Sequence, residues 1–442
     1  MRAPCRLSFL FAAIASLAAS GAVAQVEYRL PAPPSPTSAS EDALSLLSPK
    51  PHSAHNPLLR PNRDYRGLRL GDWMLYPSLL VGGIYDSNLV WSSHFPVRAA
   101  GVRVNPRLVA DRDTGIHKTT VYAEADARVF PSLTFGEAVT AQLGAAHVWE
   151  VQRDLIVKAR IQFDRRALHL SGGLVSLPGG ASATLASPLI SNGFTASAAI
   201  QKSFDKLFVG ASIETVKTLY ESFRTSGGLS PQNYRDSFVN TFGGRGGVWI
   251  SPAIYAFGEA LGNIRDVADS THSSHGYRVL AGLGSDRVSL FRGELFAGAQ
   301  RQYYDNAALS AAASPVFGGK IFWYPTRAIT VRATLDQTFS DANLPSPSNP
   351  NGHPARVTSA LLHLHYQIAK HWSATVRGGY LHSVYLGGVR RDDSWQAGAT
   401  FSYDIYRNMA LTLDYDFQRV NSNAFDASFT RNAMNIGLKY RY

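Results

Sequence analysis

The last eleven residues of the chain, NAMNIGLKYRY, restrict its possible folds more than any other segment. Met434, Ile436, Leu438, Tyr440 and Tyr442 fall on one face of a strand, and the residues between them are polar or glycine. A soluble domain seldom ends on such a strand, because chain ends fray unless they are tied down. A closed membrane barrel ends this way, because its last strand pairs with its first. The pattern therefore predicts an all-β fold, a transmembrane antiparallel up-and-down β-barrel.

The amino terminus predicts an export signal over residues 1–24. Arg2 and Arg6 form a short positive region, and an apolar stretch with small residues follows. An A-x-A site then ends at Ala24, which would leave Gln25 as the first residue of the mature chain. The apolar stretch is short for a spanning helix, so a signal peptide is favoured over a membrane anchor.

Residues 25–71 differ in composition from the rest of the chain. They are rich in proline, serine and alanine, which predicts a disordered periplasmic lead, with a linker favoured over a docking peptide or plug. Residues 72–442 form the predicted barrel. They contain no apolar run of about 20 residues, and the mean hydropathy of −0.10 also fits a barrel, in which only alternate residues face lipid.

Charge and cysteine content exclude several classes of protein. The formal net charge is +11, but lysine and arginine occur singly at strand spacing, so we expect no nucleic-acid partner. Glycine (37), tyrosine (20) and phenylalanine (22) are abundant, as strands, tight turns and interfacial girdles require. The only cysteine, Cys5, lies in the signal, which excludes disulfides and thiolate metal sites from the mature chain.

Short and long polar joints alternate between the strand segments. This rhythm predicts about 18 strands, with 16 as the nearest alternative, and short periplasmic turns opposite longer outer loops. An even number of strands places both chain ends on the periplasmic side. The predicted short turns are Asp111–Gly115, Arg153–Asp154, Asp205–Lys206, Ser251–Pro252, Ser285–Arg287, Pro325–Arg327, Ala369–Lys370 and Arg407–Asn408.

Charged residues are expected on the inward face, because a charge that faces mid-depth lipid costs about 2–4 kcal/mol. Two interpretations of this face remain open. It forms a charged pore whose basic excess favours anions or acidic polymers, or its opposite charges pair across strands and brace a polar interior. The basic residues predicted to line the lumen are Arg103, Arg107, Lys158, Arg160, Arg245, Arg278, Arg292, Arg332, Arg377, Lys439 and Arg441.

The joint at 166–191 is the longest and the least polar. A long apolar loop is unfavourable in water. We therefore expect it either to fold into the lumen as a constriction or to pack on a neighbouring subunit of a homo-oligomer. If it constricts the lumen, deletion of residues 172–187 should raise the conductance.

Enzyme motifs are absent from the sequence, which has no G-x-S-x-G, H-E-x-x-H, P-loop or dinucleotide fingerprint. We expect no catalytic residue and no cofactor. His363 and His365 share one strand face at a spacing that can ligate a metal, but no third ligand is identifiable. A pair of wall histidines is favoured, and no metal site is expected.

The end of the first strand segment, LVGGIYDSN at residues 80–88, carries a family resemblance. An aromatic residue followed by aspartate, a small or acidic residue and asparagine resembles the pattern at this place in the outer-membrane β-barrel porin family of proteobacteria. Asp86 and Asn88 also suit a turn that leaves a strand. The matching residues are Tyr85, Asp86, Ser87 and Asn88, with Ser87 where aspartate is commoner.

Other features of the chain extend this resemblance over about residues 72–442. They are the signal, the proline-rich lead, Pro106 in the second strand and the aromatic last strand. The last strand is similar to the assembly signal of bacterial outer-membrane barrels, which implies the barrel assembly machinery as a partner. Some similar barrels are associated with exopolysaccharide export.

These observations predict a bacterial outer-membrane protein that contacts lipid and passes small solutes passively or through a gate. A conduit for polysaccharide secretion is the leading alternative, and a closed structural or adhesive barrel is a third. A pore should conduct ions, a secretion conduit should need periplasmic partners, and a structural barrel should be silent.

Overall fold

The structure of the protein is a computed structural model that describes twelve ranges of the chain. They are residues 67–131, 138–168, 174–176, 182–184, 188–225, 228–288, 290–306, 310–326, 328–340, 354–386, 389–424 and 427–442.

Each long alternating segment forms one strand, and eighteen such strands pair in chain order. The prediction of an antiparallel barrel of about 18 strands is confirmed. The strands are β1 Trp73–Asp86, β2 Ala99–Asp113, β3 His117–Val129, β4 Ala138–Gln152, β5 Leu155–Leu168, β6 Leu189–Phe204, β7 Leu207–Tyr220, β8 Ser237–Trp249, β9 Ile254–Val267, β10 Ser274–Val288, β11 Phe291–Tyr304, β12 Ala312–Trp323, β13 Ile329–Ser340, β14 Ala355–Ala369, β15 Trp372–Tyr385, β16 Arg391–Tyr406, β17 Met409–Ser422 and β18 Phe429–Arg441.

The barrel closes where the last strand pairs with the first. β18 runs antiparallel to β1 from the pair Ser78 and Arg441 to the pair Asp86 and Ala433. The amide of Tyr442 adds a hydrogen bond to the carbonyl of Pro77 at 3.2 Å. Closure satisfies the backbone donors and acceptors that an open edge would leave exposed, which a bilayer requires. A short strand, Leu68–Leu70, folds back on the start of β1.

The strand connections lie at two ends of the barrel, with short turns at one end and longer loops at the other. The predicted turn at Ser285–Arg287 is displaced, because β10 continues to Val288. Ser285 pairs with Gly293 and Val288 pairs with Phe291, so one extra residue enters the ladder as a β-bulge. Asp111, Arg112 and Asp113 of another predicted turn belong to the end of β2, and Ala369 belongs to the end of β14. Within the described ranges, no helix is both long and apolar enough to cross a bilayer.

The two faces of the barrel wall differ in chemistry. Arg245 on β8 reaches Glu294 on β11 and thus spans two intervening strands, which only the concave inner face allows. The alternate positions of each strand face outward and are mostly apolar. Exposed apolar side chains of this outer face include Leu79, Val81, Leu143, Ile161, Phe194, Ile200, Val279, Leu295, Phe317, Leu362, Val376, Ile436 and Leu438.

Aromatic rings of the inner face cover glycines of the neighbouring strand. A Cβ atom on Gly284 would fall 2.2 Å from the ring of Tyr255, and one on Gly282 would fall 2.6 Å from the ring of Phe257. Because glycine has no side chain, each ring rests against the wall and leaves the lumen wider. The same arrangement joins Phe208 to Gly247, Phe296 to Gly318 and Tyr122 to Gly144.

Replacement of one such glycine should disturb the inner wall. In Gly284→Ala the new methyl group displaces the Tyr255 ring, whose hydroxyl donates to Glu294 at 2.6 Å. We expect the free energy of unfolding to fall by about 1–3 kcal/mol, as for overpacked cores. Denaturant unfolding in lipid vesicles, followed by tryptophan fluorescence, measures the change. Gly244→Ala is the matched control, since a Cβ there meets nothing within 4 Å, and an equal loss in both variants would contradict the argument.

Candidate functional site: the charged inner wall

The basic residues predicted for the lumen, from Arg103 to Arg441, all occupy inward positions of the strand register. Most of them lie close to a carboxylate on another strand. The pairs at single carboxylates are Arg103 with Asp126 (2.6 Å), Arg107 with Glu124 (3.6 Å), Arg278 with Asp336 (2.6 Å), Arg377 with Asp416 (2.8 Å) and Arg441 with Asp404 (3.3 Å). Opposite charges therefore brace this face, as one of the two interpretations expected.

Arg245 forms the most deeply buried of these contacts. Its guanidinium bonds Glu259 at 3.3 Å and Glu294 at 2.8 Å. The side chains of Arg245 and Glu259 are both 0% exposed. The guanidinium also lies 3.9 Å from the centre of the Phe257 ring, so a cation–π contact adds to the two ion pairs. One arginine thus links three strands and an aromatic side chain.

Neutral hydrogen-bonding groups share the inner face with these charges. Gln201 and Gln418 are buried, and within the described residues neither end of either amide has a hydrogen-bond partner. Buried polar groups are nearly always hydrogen-bonded. These amides therefore suit a wall whose remaining partners are water or a polar solute.

The Tyr85–Asn88 segment lies at the outer end of the seam between β1 and β18. Asp86 accepts a hydrogen bond from Nε of Arg431 at 2.8 Å and a second from Nη2 of the same guanidinium. Asn88 donates from its amide nitrogen to the carbonyl of Thr430 at 3.0 Å. Its backbone amide bonds Asp86 at 3.0 Å, which forms the turn expected of these residue types. We refer to this set of contacts between Asp86, Asn88 and Arg431 as the seam latch.

The loop that follows the seam latch folds back against the inner wall. Trp91 is buried and stacks on Phe429 with ring centres 5.3 Å apart. The guanidinium of Arg431 lies 5.8 Å from the Trp91 ring. Leu89 packs in a buried apolar cluster that includes Ile84. The motif therefore joins the two terminal strands and holds the first outer loop inward.

Besides Arg431 of the seam latch, sequence reasoning missed other buried or inward arginines at the outer end. Arg265 and Arg166 lie on inner positions of β9 and β5, and Arg235 lies in the loop before β8. Burial lowers the pKa of the Arg235 guanidinium, against the opposing effect of the neighbouring Tyr234. Burial also raises the pKa of the adjacent Asp236 carboxyl. No sequence pattern marks Arg235, because it stands alone in a polar loop.

Two other features were considered as functional sites, the histidine pair His363 and His365 as metal ligands and the long apolar joint at 166–191. Among the described residues, no group of three or more His, Cys, Asp or Glu side chains could hold a metal ion. His365 instead shares a 3.0 Å hydrogen bond with the Thr375 hydroxyl. Half of the joint at 166–191 lies outside the described residues, which include its ends and a pair of short strands, Leu174–Ser176 and Ser182–Thr184.

Solved structures resemble this chain at low similarity. The siderophore receptor PirA from Acinetobacter baumannii is 8% identical, with a TM-score of 0.40 over 83% of this chain and 80% of that one. The copper transporter OprC is 10% identical, with a TM-score of 0.44 over 85% and 82%. The unliganded ferric citrate transporter FecA is 11% identical, with a TM-score of 0.43 over 79% and 60%. No curated protein sequence matches the chain.

A family model matches most of the chain. The match covers residues 60–442 and so includes every strand from β1 to β18. The family is described as "Putative beta-barrel porin 2". Because the match extends over this length and the chain forms a closed eighteen-stranded barrel, the chain belongs to that family of β-barrel porins.

Proposed function

We propose that this protein is a porin-like channel that passes polar solutes across the bacterial outer membrane. The proposal rests on the difference in side-chain chemistry between the outer and the inner face of the closed barrel wall. The outer face exposes large apolar side chains, whereas the inner face holds ion pairs and amides. In a bilayer such an outer face contacts lipid, and such an inner face surrounds water. We assign no enzymatic activity to it.

Single-channel recording tests the pore directly. The mature chain from Gln25, refolded in detergent and added to a planar bilayer, should give steady openings. In a salt gradient the reversal potential should shift toward anion preference, because the chain from Gln25 keeps 41 basic residues, the 43 of the full sequence without Arg2 and Arg6, against 32 acidic ones. The same preparation after boiling is the control. A barrel that keeps its compact, heat-modifiable gel mobility and inserts, yet stays silent, would contradict the pore.

A conduit for a secreted polysaccharide is the second candidate function. The inward amides of Gln201 and Gln418 favour it, because amides can both donate to and accept from sugar hydroxyls. Cells that lack the protein should then lose surface polymer and keep their permeability to small solutes. Loss of small-solute uptake with unchanged surface polymer would favour the general pore.

A further inference from the structure

An arginine in an unusual environment lies in the outer loop between β7 and β8. Arg235 ends the 3₁₀ turn Asn233–Arg235 and is 1% exposed. Its Nε donates to Gln232 at 2.6 Å and to the Tyr234 hydroxyl at 2.9 Å. Within the described part of the chain, neither Nη1 nor Nη2 has a hydrogen-bond partner. The guanidinium is therefore held in one orientation, and two donor nitrogens, Nη1 and Nη2, remain available to a ligand.

The lack of partners for Nη1 and Nη2 among the described residues is significant, because a buried charge is costly unless it is paired and hydrogen-bonded. Gln232, which holds Nε, is itself 0% exposed and donates to the Pro231 carbonyl at 2.9 Å. The loop thus fixes a cation in a buried position and supplies only neutral partners. A stabilising role alone would favour an apolar or neutral side chain here.

More positive charge surrounds the same place. Tyr220, at the outer end of β7, lies within electrostatic reach of Arg235, Arg265 and Arg166 together. Arg265 is buried, and the inward register of Arg265 and Tyr220 directs the cluster toward the lumen rather than toward lipid.

The carboxylates nearby are already engaged. Asp164 pairs with Arg166 at 2.7 Å, and the side chain of Asp236 accepts the backbone N–H of Tyr220 at 2.8 Å. Neither satisfies the Nη donors of Arg235. Among the described residues, Arg235 therefore has no carboxylate partner at the outer mouth of the barrel.

We propose that Arg235 is the centre of an anion-binding site that takes the carboxylate or phosphate group of a solute passing through the barrel. This inference rests on the proposed channel function and deepens it by naming the substrate class. Two parallel N–H donors of a guanidinium match the two oxygens of such a group. Because Arg235 is covered, the anion reaches Nη1 and Nη2 only when the side chains around the guanidinium move apart.

Calorimetric titration of the refolded mature protein in detergent tests the site, with inorganic phosphate and galacturonic acid as probes and galactose as the uncharged control. The wild type should bind both anions and not galactose. Arg235→Gln should weaken binding of both anions about ten-fold or more, the usual effect of losing hydrogen bonds to a charged group. The matched control is Arg224→Gln, an exposed arginine of the same loop, which should change the affinity less than about two-fold.

Arg235→Lys is a second variant that keeps the test decisive if Arg235→Gln does not fold. It keeps the charge but loses the planar fork, so its affinity should lie between the wild type and Arg235→Gln, with compact gel mobility retained. Unchanged anion binding in either folded variant, or a wild type that binds neither anion, overturns the site. A conducting wild type that binds neither probe contradicts this inference alone. A silent barrel that binds them contradicts the channel alone.

Discussion

Asp86→Asn should lower the free energy of unfolding of the barrel by about 3–5 kcal/mol, the usual cost of removing one partner from a buried ion pair. The Asp86 and Arg431 side chains are 1% and 6% exposed, so little solvent screens the charge left on Arg431. The pair joins β1 to β18, so the damage should concentrate at the seam. Denaturant unfolding in vesicles measures the first effect, and amide exchange at the outer ends of β1 and β18 measures the second.

An exposed ion pair at the other end of β1 supplies the control. Asp72 and Arg112 lie 3.1 Å apart with side chains 66% and 43% exposed, so Asp72→Asn should change stability by less than about 1 kcal/mol. Adding Arg431→Gln to Asp86→Asn removes the orphaned charge and should recover much of the loss. If Asp86→Asn leaves exchange at the seam unchanged, the latch does not hold the terminal strands together.

The regular part of the fold could be predicted from the sequence because it depends on a two-residue period. Outward and inward positions follow directly once a segment is a strand, as at β5, where Lys158 and Arg160 occupy the inward positions predicted for them. Short turns of typical turn residues, such as Arg153–Asp154, mark where one strand ends and the next begins, so the number of strands can be read from them. The bulge at the end of β10 escaped prediction because one inserted residue leaves both flanking patterns intact.

The pairing of the inner charges could not be predicted in the same way. Arg245 and Glu294 are 49 residues apart and meet only because the tilt of the strands brings non-adjacent strands to one height. The seam latch depends on contacts between the first and the last strand, such as Asp86 with Arg431, 345 residues later. The local pattern at Asp86 and Asn88 predicted a turn, and closure of the barrel adds the partner. The burial of Arg235 could not be predicted either, because the residue lies in an irregular loop, where the sequence has no periodic pattern.

Arg245→Met should destabilise the barrel by about 3–5 kcal/mol at neutral pH. Methionine fills a similar volume and can pack on the Phe257 ring. It leaves Glu259, whose side chain is 0% exposed, and Glu294 without the cation that both contact. Two carboxylates near one another in a buried place repel, and each loses its charge-assisted hydrogen bond. Denaturant unfolding in vesicles at neutral pH gives the magnitude.

The cause of that loss can be separated from the loss of packing by removing the stranded charges. Arg245→Met combined with Glu259→Gln and Glu294→Gln leaves no charge at the cluster, while the Tyr255 hydroxyl can still donate to position 294. Replacement of a buried ion pair by neutral groups of similar volume is often close to neutral. The triple variant should therefore recover most of the stability that the single variant loses. A triple variant as unstable as Arg245→Met would show that the loss does not come from the two stranded carboxylates, because the triple variant carries neither of those charges.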